Sequence, residues 1–273
     1  MSFFEAIVYG IIQGLSEFLP ISSSGHLALL PHVMKIKDPG VVFDLMMHFG
    51  TALAVMTYFR NDIFRYAKTF TPSLADFKVQ GEDRWFVRNF IFSTLVSVFF
   101  IVILIPFAKM ARDPLVIIFN LSLFGALLWF ADWKNSKANT LLNSPMTSSF
   151  QWRIAGLIGL SQALAIFPGV SRSGITLTAA LLLGMKRKEA GNYSFLLSLP
   201  IIVAGILKEV PDLLKTQNDS SLLILLTGVG TSFVVGYFTI HFFMKLIARI
   251  NLAYFAVYRW FIAALMLIML FYS

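Results

Sequence analysis

The chain has 273 residues, 58% of them hydrophobic and only 13% charged, against about 25% charged in an ordinary soluble domain. The apolar residues run in unbroken blocks instead of the spaced stripes of amphipathic helices, so a single soluble core is excluded and lipid is their solvent. The absence of cysteine excludes disulfide scaffolds, thiolate metal sites and cysteine nucleophiles; the net charge of +8 sits between apolar blocks, which reads as membrane topology and not as a nucleic-acid surface.

A hydrocarbon core about 30 Å thick takes roughly 20 apolar residues per spanning helix. The first segment, Ser2 to about Met34, is interrupted by Pro20, three serines and Gly25, and neither half is long enough to span. Non-helical backbone at membrane depth is tolerated only where protein or a water-filled cavity satisfies its polar groups, so this segment reads as a re-entrant hairpin. The first basic residue of the chain is Lys35, so the charged start of a signal peptide is missing and the segment is expected to be retained. Val41 to Tyr58 is the first span, and Asn61 to Asp83, which mixes both charge signs, reads as a solvated loop. Phe86 to Phe107 and Leu115 to Trp133 are further spans. The second interrupted segment, Ile154 to Met185, is broken by Pro168, Gly169, Ser171, Ser173 and Gly174. After it come Tyr193 to Leu207, short but extendable toward Gly191, then Leu222 to Ile247 and Leu252 to Tyr272.

Laid over each other without gaps, the interrupted segments match. Ala6, Gly10, Gln13, Leu15, Phe18, Ser22, Ser24 and Gly25 meet Ala155, Gly159, Gln162, Leu164, Phe167, Ser171, Ser173 and Gly174. Matching breaks in two halves are the mark of internal repeats that share a site near the midplane. The expected fold class is therefore an all-α polytopic membrane protein of two inverted repeats, approximately 1–135 and 150–273, each a re-entrant hairpin plus three transmembrane helices. An odd number of crossings per half inverts the second relative to the first. Arg60, Arg65, Lys68, Lys78, Arg84, Arg88, Lys134, Lys137, Arg153, Lys186, Arg187, Lys188, Lys245 and Arg249 then share one side, against Lys35, Lys37, Lys109, Arg112, Lys208 and Lys215 on the other. The basic side is the inner one, which puts both termini and the mouth of the first hairpin outside.

The breaks carry the chemistry. Gln13 and Glu17 stand on one helix face and are followed by Ser22, Ser23, Ser24, Gly25 and His26; the second break holds Ser171, Arg172, Ser173, Gly174 and Thr176. If the hairpins meet tip to tip, Glu17, Ser23, His26 and Arg172 converge. An ionisable group at membrane depth is costly and marks a functional site, although polar packing of the serines and a purely structural Glu17 to Arg172 ion pair are the competing readings. Asp44 and His48 are four apart near the start of a span and could join the outer mouth of the site, although interfacial hydrogen bonding is the default role; His32 is placed at the interface, and His241 in aromatic packing. Glycine-flanked turns that open helices present unpaired N–H groups to an anion, and arginine adds a fork matched to phosphate oxygens, so the ligand expected at Ser22, Ser24, Gly25, Ser171, Ser173 and Gly174 is phosphate.

Gln13 to Leu27 and Pro168 to Thr176 closely resemble the two signature motifs of the undecaprenyl-diphosphate phosphatase family, the bacitracin-resistance type, and the length and apolar segments fit along essentially the whole chain. The resemblance implies hydrolysis of a polyprenyl diphosphate to its monophosphate, recycling the carrier lipid for cell-wall synthesis in the bacterial plasma membrane. It implies Ser23, His26 and Arg172 as central residues, with Ser171 and Thr176 supporting phosphate binding. The second acid of the glutamate-rich motif falls on Glu17, and its variable first position is Gln13, which can ligate but cannot act as a base. Ser24-Gly25-His26 is also similar to the acid-phosphatase type of lipid phosphatase, which needs a later histidine; none occurs between His48 and His241.

A diphosphate and Glu17 together carry more negative charge than Arg172 and His26 can balance in a low-dielectric site. A divalent cation, Mg2+ or Ca2+, held by Glu17, Gln13 and the diphosphate, is the expected cofactor. The partners expected are the polyprenyl diphosphate, with its chain in an apolar groove, and the bilayer; a homodimer is left open. The rival reading is a secondary transporter or lipid flippase, which shares the broken-helix architecture. Against it, Glu17 and His26 face Ile166 and Ile175 in the repeat alignment and Ser23 faces Arg172, so one half looks reactive and the other like an anion clamp.

Overall fold

The computed structural model describes residues 1–36, 38–75, 81–108, 113–137, 151–215 and 219–272, which form helices joined by short turns, with no strand among them. Lys37, Lys78, Lys109 and Arg112 of the orienting charges, the junction at 138–150 and the His32 side chain lie outside the described residues. The helices are α1 (Phe3–Ser16), α2 (Ser23–Met34), α3 (Val41–Tyr58), α4 (Arg60–Ala75), α5 (Glu82–Ala108), α6 (Pro114–Lys137), α7 (Trp152–Ala163), α8 (Arg172–Leu182), α9 (Arg187–Lys215), α10 (Asp219–Leu246) and α11 (Ala253–Tyr272). Six of them, α3, α5, α6, α9, α10 and α11, are long and apolar enough to cross a membrane. The two interrupted segments form the pairs α1–α2 and α7–α8, with a 3-10 turn at Leu164–Ile166 extending α7.

Local sequence explains the boundaries. α1 opens on a capping box, in which the Ser2 hydroxyl accepts from the Glu5 N–H at 3.2 Å and the Glu5 carboxylate accepts from the Ser2 N–H at 2.8 Å. Pro20 and a left-handed Ser22 keep the chain from continuing into α2 as one helix. In the second hairpin the break falls at Pro168-Gly169. Gly169 has φ +89°, and a Cβ there would lie 2.6 Å from the Ile117 carbonyl oxygen, so only glycine fits this approach to α6.

Each hairpin packs on a span of the other half. Gly10 and Gly14 bring α1 against α10, where an added Cβ would stand 2.7 Å from the Gly228 carbonyl oxygen and 2.8 Å from the Gly236 nitrogen. Gly159 does the same for α7 on α5, where an added Cβ would run into the Ser93 carbonyl. Ser93 and Ser97 of α5 donate to the carbonyls of Ala155 and Gly159 at 2.8 and 2.9 Å. Small residues and interhelical hydroxyl bonds of this kind are how helices associate in lipid, which offers no hydrophobic drive of its own.

The segment after the first span is not the expected loop. Arg60–Ala75 is a helix, because Ile63, Tyr66, Ala67 and Phe70 recur at three- and four-residue spacing and pack toward Phe86, Val87 and Phe90 of α5. Tyr66 stacks on Phe86 with ring centroids 4.1 Å apart. The mixed charges occupy its other face, where Arg65 pairs with Asp62 at 3.0 Å and Asp83 at 3.2 Å. At the far end of α6, Asp132 pairs with Arg187 at 2.6 Å and accepts the Leu252 N–H at 3.0 Å, tying α6 to the starts of α9 and α11.

Candidate active site

The turns that open α2 and α8 are built alike. Ser22 and Ser171 both hold positive φ, at 76° and 71°. This conformation costs a non-glycine residue about 1–3 kcal/mol and persists only where the surroundings impose it. In each turn the hydroxyl folds back to cap the following helix: Ser22 Oγ accepts from the Gly25 N–H at 3.4 Å, and Ser171 Oγ from the Gly174 N–H at 3.1 Å. The hydroxyl of the serine two residues on lies 3.2 Å away in the first turn and 3.4 Å away in the second. One first-turn amide of each helix is thus satisfied internally, and the earlier ones remain for an anion.

The hairpins meet at these turns. The Gly169 N–H donates to Ser24 Oγ at 3.3 Å, and Ser173 Oγ donates to the Leu19 carbonyl at 3.2 Å. Between them lies the Glu17 carboxylate, 4% exposed. Its Oε2 accepts from Gln13 Nε2 and from Ser23 Oγ, each at 2.8 Å, and its Oε1 pairs with Arg172 Nη2. Arg172 Nη1 donates to the Ser198 carbonyl of α9 at 3.1 Å, so the guanidinium is fixed at two corners. A cavity opens beside this junction. Glu17, Ser23, Ser24, His48, Ser171 and Arg172 form its polar wall, and Leu45, Ile101, Ile166, Ile201 and Ile202 form its apolar wall.

Glu17, Ser23 and Arg172 converge as the sequence suggests, but His26 does not join them. Its Nδ1–H donates to the Ser22 carbonyl at 2.8 Å, and its Nε2 accepts from the Tyr258 hydroxyl at 2.8 Å, with the two rings stacked at 5.6 Å. Both nitrogens of a neutral ring are satisfied this way, and His26 is not among the residues lining the cavity. His48, expected to make interfacial hydrogen bonds, takes the place instead. Its Nδ1–H donates to the Asp44 carbonyl at 2.8 Å, which aims Nε2 at Glu17 Oε2, 3.3 Å away.

Several residues expected to bind phosphate also make structural contacts. Ser22, Gly25, Ser173 and Gly174 shape the turns through the contacts above. Thr176 is fully buried and bonds the Arg172 carbonyl at 2.8 Å and Ser194 Oγ at 2.5 Å, which anchors α8 to α9. Arg259, which sequence reasoning leaves without a role inside the last span, is the residue it missed. Fully buried on α11, it donates to the carbonyls of Leu121 at 3.1 Å, Asn120 at 3.2 Å, Gly169 at 2.8 Å and Val170 at 3.1 Å. It therefore holds the turn that presents Ser171 and Arg172. A lone cation in an apolar helix is the one signal that could have found it.

The donor set suits a hard cation. Among the described residues no three His, Cys, Asp or Glu side chains stand together as a metal cluster. The site nevertheless offers oxygens: the Glu17 carboxylate, the Ser23 hydroxyl and Gln13 Oε1, which is buried with no hydrogen-bond partner among the described residues. Oxygen ligands of this kind suit Mg2+ or Ca2+, whereas the chain has no thiolate for a soft metal.

Comparison with known proteins supplies the family. The family model described as bacitracin resistance protein BacA matches residues 6–265. The chain belongs to the BacA family. Among BacA relatives, a protein of Geotalea daltonii named undecaprenyl-diphosphatase is 40% identical over 273 residues, covering 98% of each chain. One of Nitrosococcus oceani with the same name is 40% identical over 267 residues, covering 97% of this chain and 98% of its own. The undecaprenyl-diphosphatase 2 of Stutzerimonas stutzeri is 38% identical and covers 98% of both. The matched region runs from within α1 into α11 and takes in both interrupted segments.

Proposed function

We propose that this protein hydrolyses undecaprenyl diphosphate to undecaprenyl phosphate and inorganic phosphate, at a site where its two hairpins meet in the bacterial plasma membrane. The observation that carries the reading is the Ser23–Glu17–Arg172 junction: a hydroxyl whose proton is directed at a buried carboxylate, next to a guanidinium held in one orientation. The relatives' names supply the substrate, and the cavity's two walls suit it, the polar one for the diphosphate and the apolar one for the start of the isoprenoid chain.

In this mechanism the remaining N–H groups of Arg172 and the first-turn amides of α2 and α8 bind the terminal phosphate. Glu17 takes the Ser23 proton as Ser23 Oγ bonds to the terminal phosphorus and the bridging P–O bond breaks, releasing undecaprenyl phosphate. Water then attacks the phosphoserine, freeing inorganic phosphate and returning the hydroxyl. A divalent cation held by Glu17 and Gln13 would offset the charge of the diphosphate. The basic-residue bias supports an outward-facing mouth, and the matched turns at Ser22 and Ser171 support two inverted repeats. A transporter reading has no use for a serine aimed at a carboxylate in one half only. The test is phosphate release from undecaprenyl diphosphate by detergent-purified protein. Release that disappears in Ser23→Ala is expected, and a purified, folded wild type that releases none overturns the reading.

A further inference from the structure

Gln162 enters the sequence only as the repeat partner of Gln13, yet the structure gives it a wall of the same cavity as Glu17, Ser23 and Arg172. It is 1% exposed. Its amide nitrogen donates to Ser97 Oγ at 3.0 Å, and Ser97 in turn spends its proton on backbone carbonyls, Ser93 at 2.8 Å and Gly159 at 2.9 Å. That chain fixes which end of the carboxamide is which. A flipped amide would set Oε1 against a hydroxyl with no proton left to give. Oε1 therefore points away from Ser97, buried and with no hydrogen-bond partner among the described residues.

Gln13 is in the same state. Its nitrogen is held by Glu17 Oε2 at 2.8 Å, and its Oε1 is buried without a partner. Two carboxamides, one from each hairpin, are thus pinned by nitrogen and each leaves a bare acceptor, that of Gln13 next to Glu17 and that of Gln162 on a residue that lines the cavity. Buried acceptors of this kind need a donor or a cation. The substrate cannot be the donor, because the oxygens of an ionised diphosphate only accept. Arg172 is already turned to Glu17 and Ser198. Water and a hard divalent cation both satisfy carbonyl and phosphate oxygens, but only the cation also offsets the charge that Glu17 and the diphosphate bring together, and it takes amide carbonyls as ordinary ligands.

We propose that Gln162 Oε1 is a ligand of the divalent cation, supplied by the second hairpin to a site otherwise assigned to Glu17 and Gln13. This rests on the phosphatase reading for its polyanionic substrate. It gives the second half a share in the metal as well as in the phosphate clamp, and it makes cation binding depend on the hairpins being docked.

The test is calorimetric titration of Ca2+ into full-length, detergent-purified protein, with a prenyl methylenediphosphonate present as an unhydrolysable substrate mimic. Gln162→Leu keeps the bulk and removes the oxygen; Gln162→Glu keeps an oxygen and adds charge. The leucine variant should bind Ca2+ at least tenfold more weakly than wild type, and the glutamate variant at least as tightly. Thermal stability in chelator should not fall in the leucine variant, which loses a stranded acceptor. Equal Ca2+ affinity in wild type and Gln162→Leu overturns the assignment. So does equal destabilisation of both variants with unchanged affinity, which marks Gln162 as packing. Wild type that binds no Ca2+ overturns it together with the cation at Glu17 and Gln13. Phosphate release by wild type, measured on the same preparation, shows separately whether the phosphatase reading stands.

Discussion

Replacing Arg172 by lysine keeps the positive charge at the hairpin junction and removes the fork. The guanidinium spans two partners, Glu17 Oε1 through Nη2 and the Ser198 carbonyl through Nη1, and directs its other N–H groups by that constraint. A single ammonium cannot hold both partners and present a two-pronged face to phosphate. Donors aimed at transferring oxygens contribute about 2–4 kcal/mol, so kcat should fall roughly 30- to 1000-fold, with a smaller change in KM. Arg172→Ala has a different cost. It strands the buried Glu17 carboxylate, and breaking a buried pair from one side destabilises by about 3–5 kcal/mol. Arg172→Ala with Glu17→Ala should recover most of that stability and none of the turnover. Steady-state phosphate release and thermal unfolding, measured on the same detergent preparations, separate the two effects. Near-normal kcat in the lysine variant, or turnover restored in the double alanine variant, would reduce the pair to a structural ion pair and refute the clamp.

Chelation should abolish phosphate release and Mg2+ or Ca2+ should restore it, while Glu17→Gln should weaken that activation; full activity in chelator removes the metal from the reaction. His26→Gln, which can still hydrogen-bond the Ser22 carbonyl, should keep more activity than His26→Leu, and equal losses would show that the ring itself takes part. Gly159→Ala should lower the unfolding temperature by an amount corresponding to about 1–3 kcal/mol of overpacking against Ser93. Gly230→Ala, where an added Cβ meets nothing within 4 Å, should not, and matched behaviour of the two would refute the close approach of α7 to α5. Single cysteines at Asp38 and at Gln80, which is outside the described residues, should react and fail to react, respectively, with an impermeant reagent on intact cells; the opposite pattern reverses the orientation.

The spans and both breaks were legible because lipid imposes a length rule, and because Pro20, Pro168 and the serine–glycine turns violate it in plain view. α4 was not legible. Its apolar face, Ile63, Tyr66 and Phe70, is interleaved with charges of both signs, and only the docking surface of Phe86 and Phe90 makes it a helix with a side to bury. The choice between the two histidines was hidden for another reason. His26 sits inside the motif but finds Tyr258, far along the chain, whereas His48 sits outside it and reaches Glu17 across the α1–α3 contact. Sequence proximity to a motif gave no information about which ring faces the carboxylate. Arg259 escaped because its partners are backbone carbonyls of α6 and of the Gly169–Val170 turn, which have no residue signature at all.

The exchange of packing between halves, α1 on α10 and α7 on α5, sets an order for biogenesis. The first hairpin leaves the ribosome long before its glycine face has anything to meet, because Gly228 and Gly236 have not yet been made. The ribosome must therefore deliver nearly the whole chain to the bilayer before α1 finds its permanent neighbour. Translation arrested before α10 should leave a protease-sensitive amino-terminal segment, while two separately made halves carry complementary surfaces and should rejoin in the membrane.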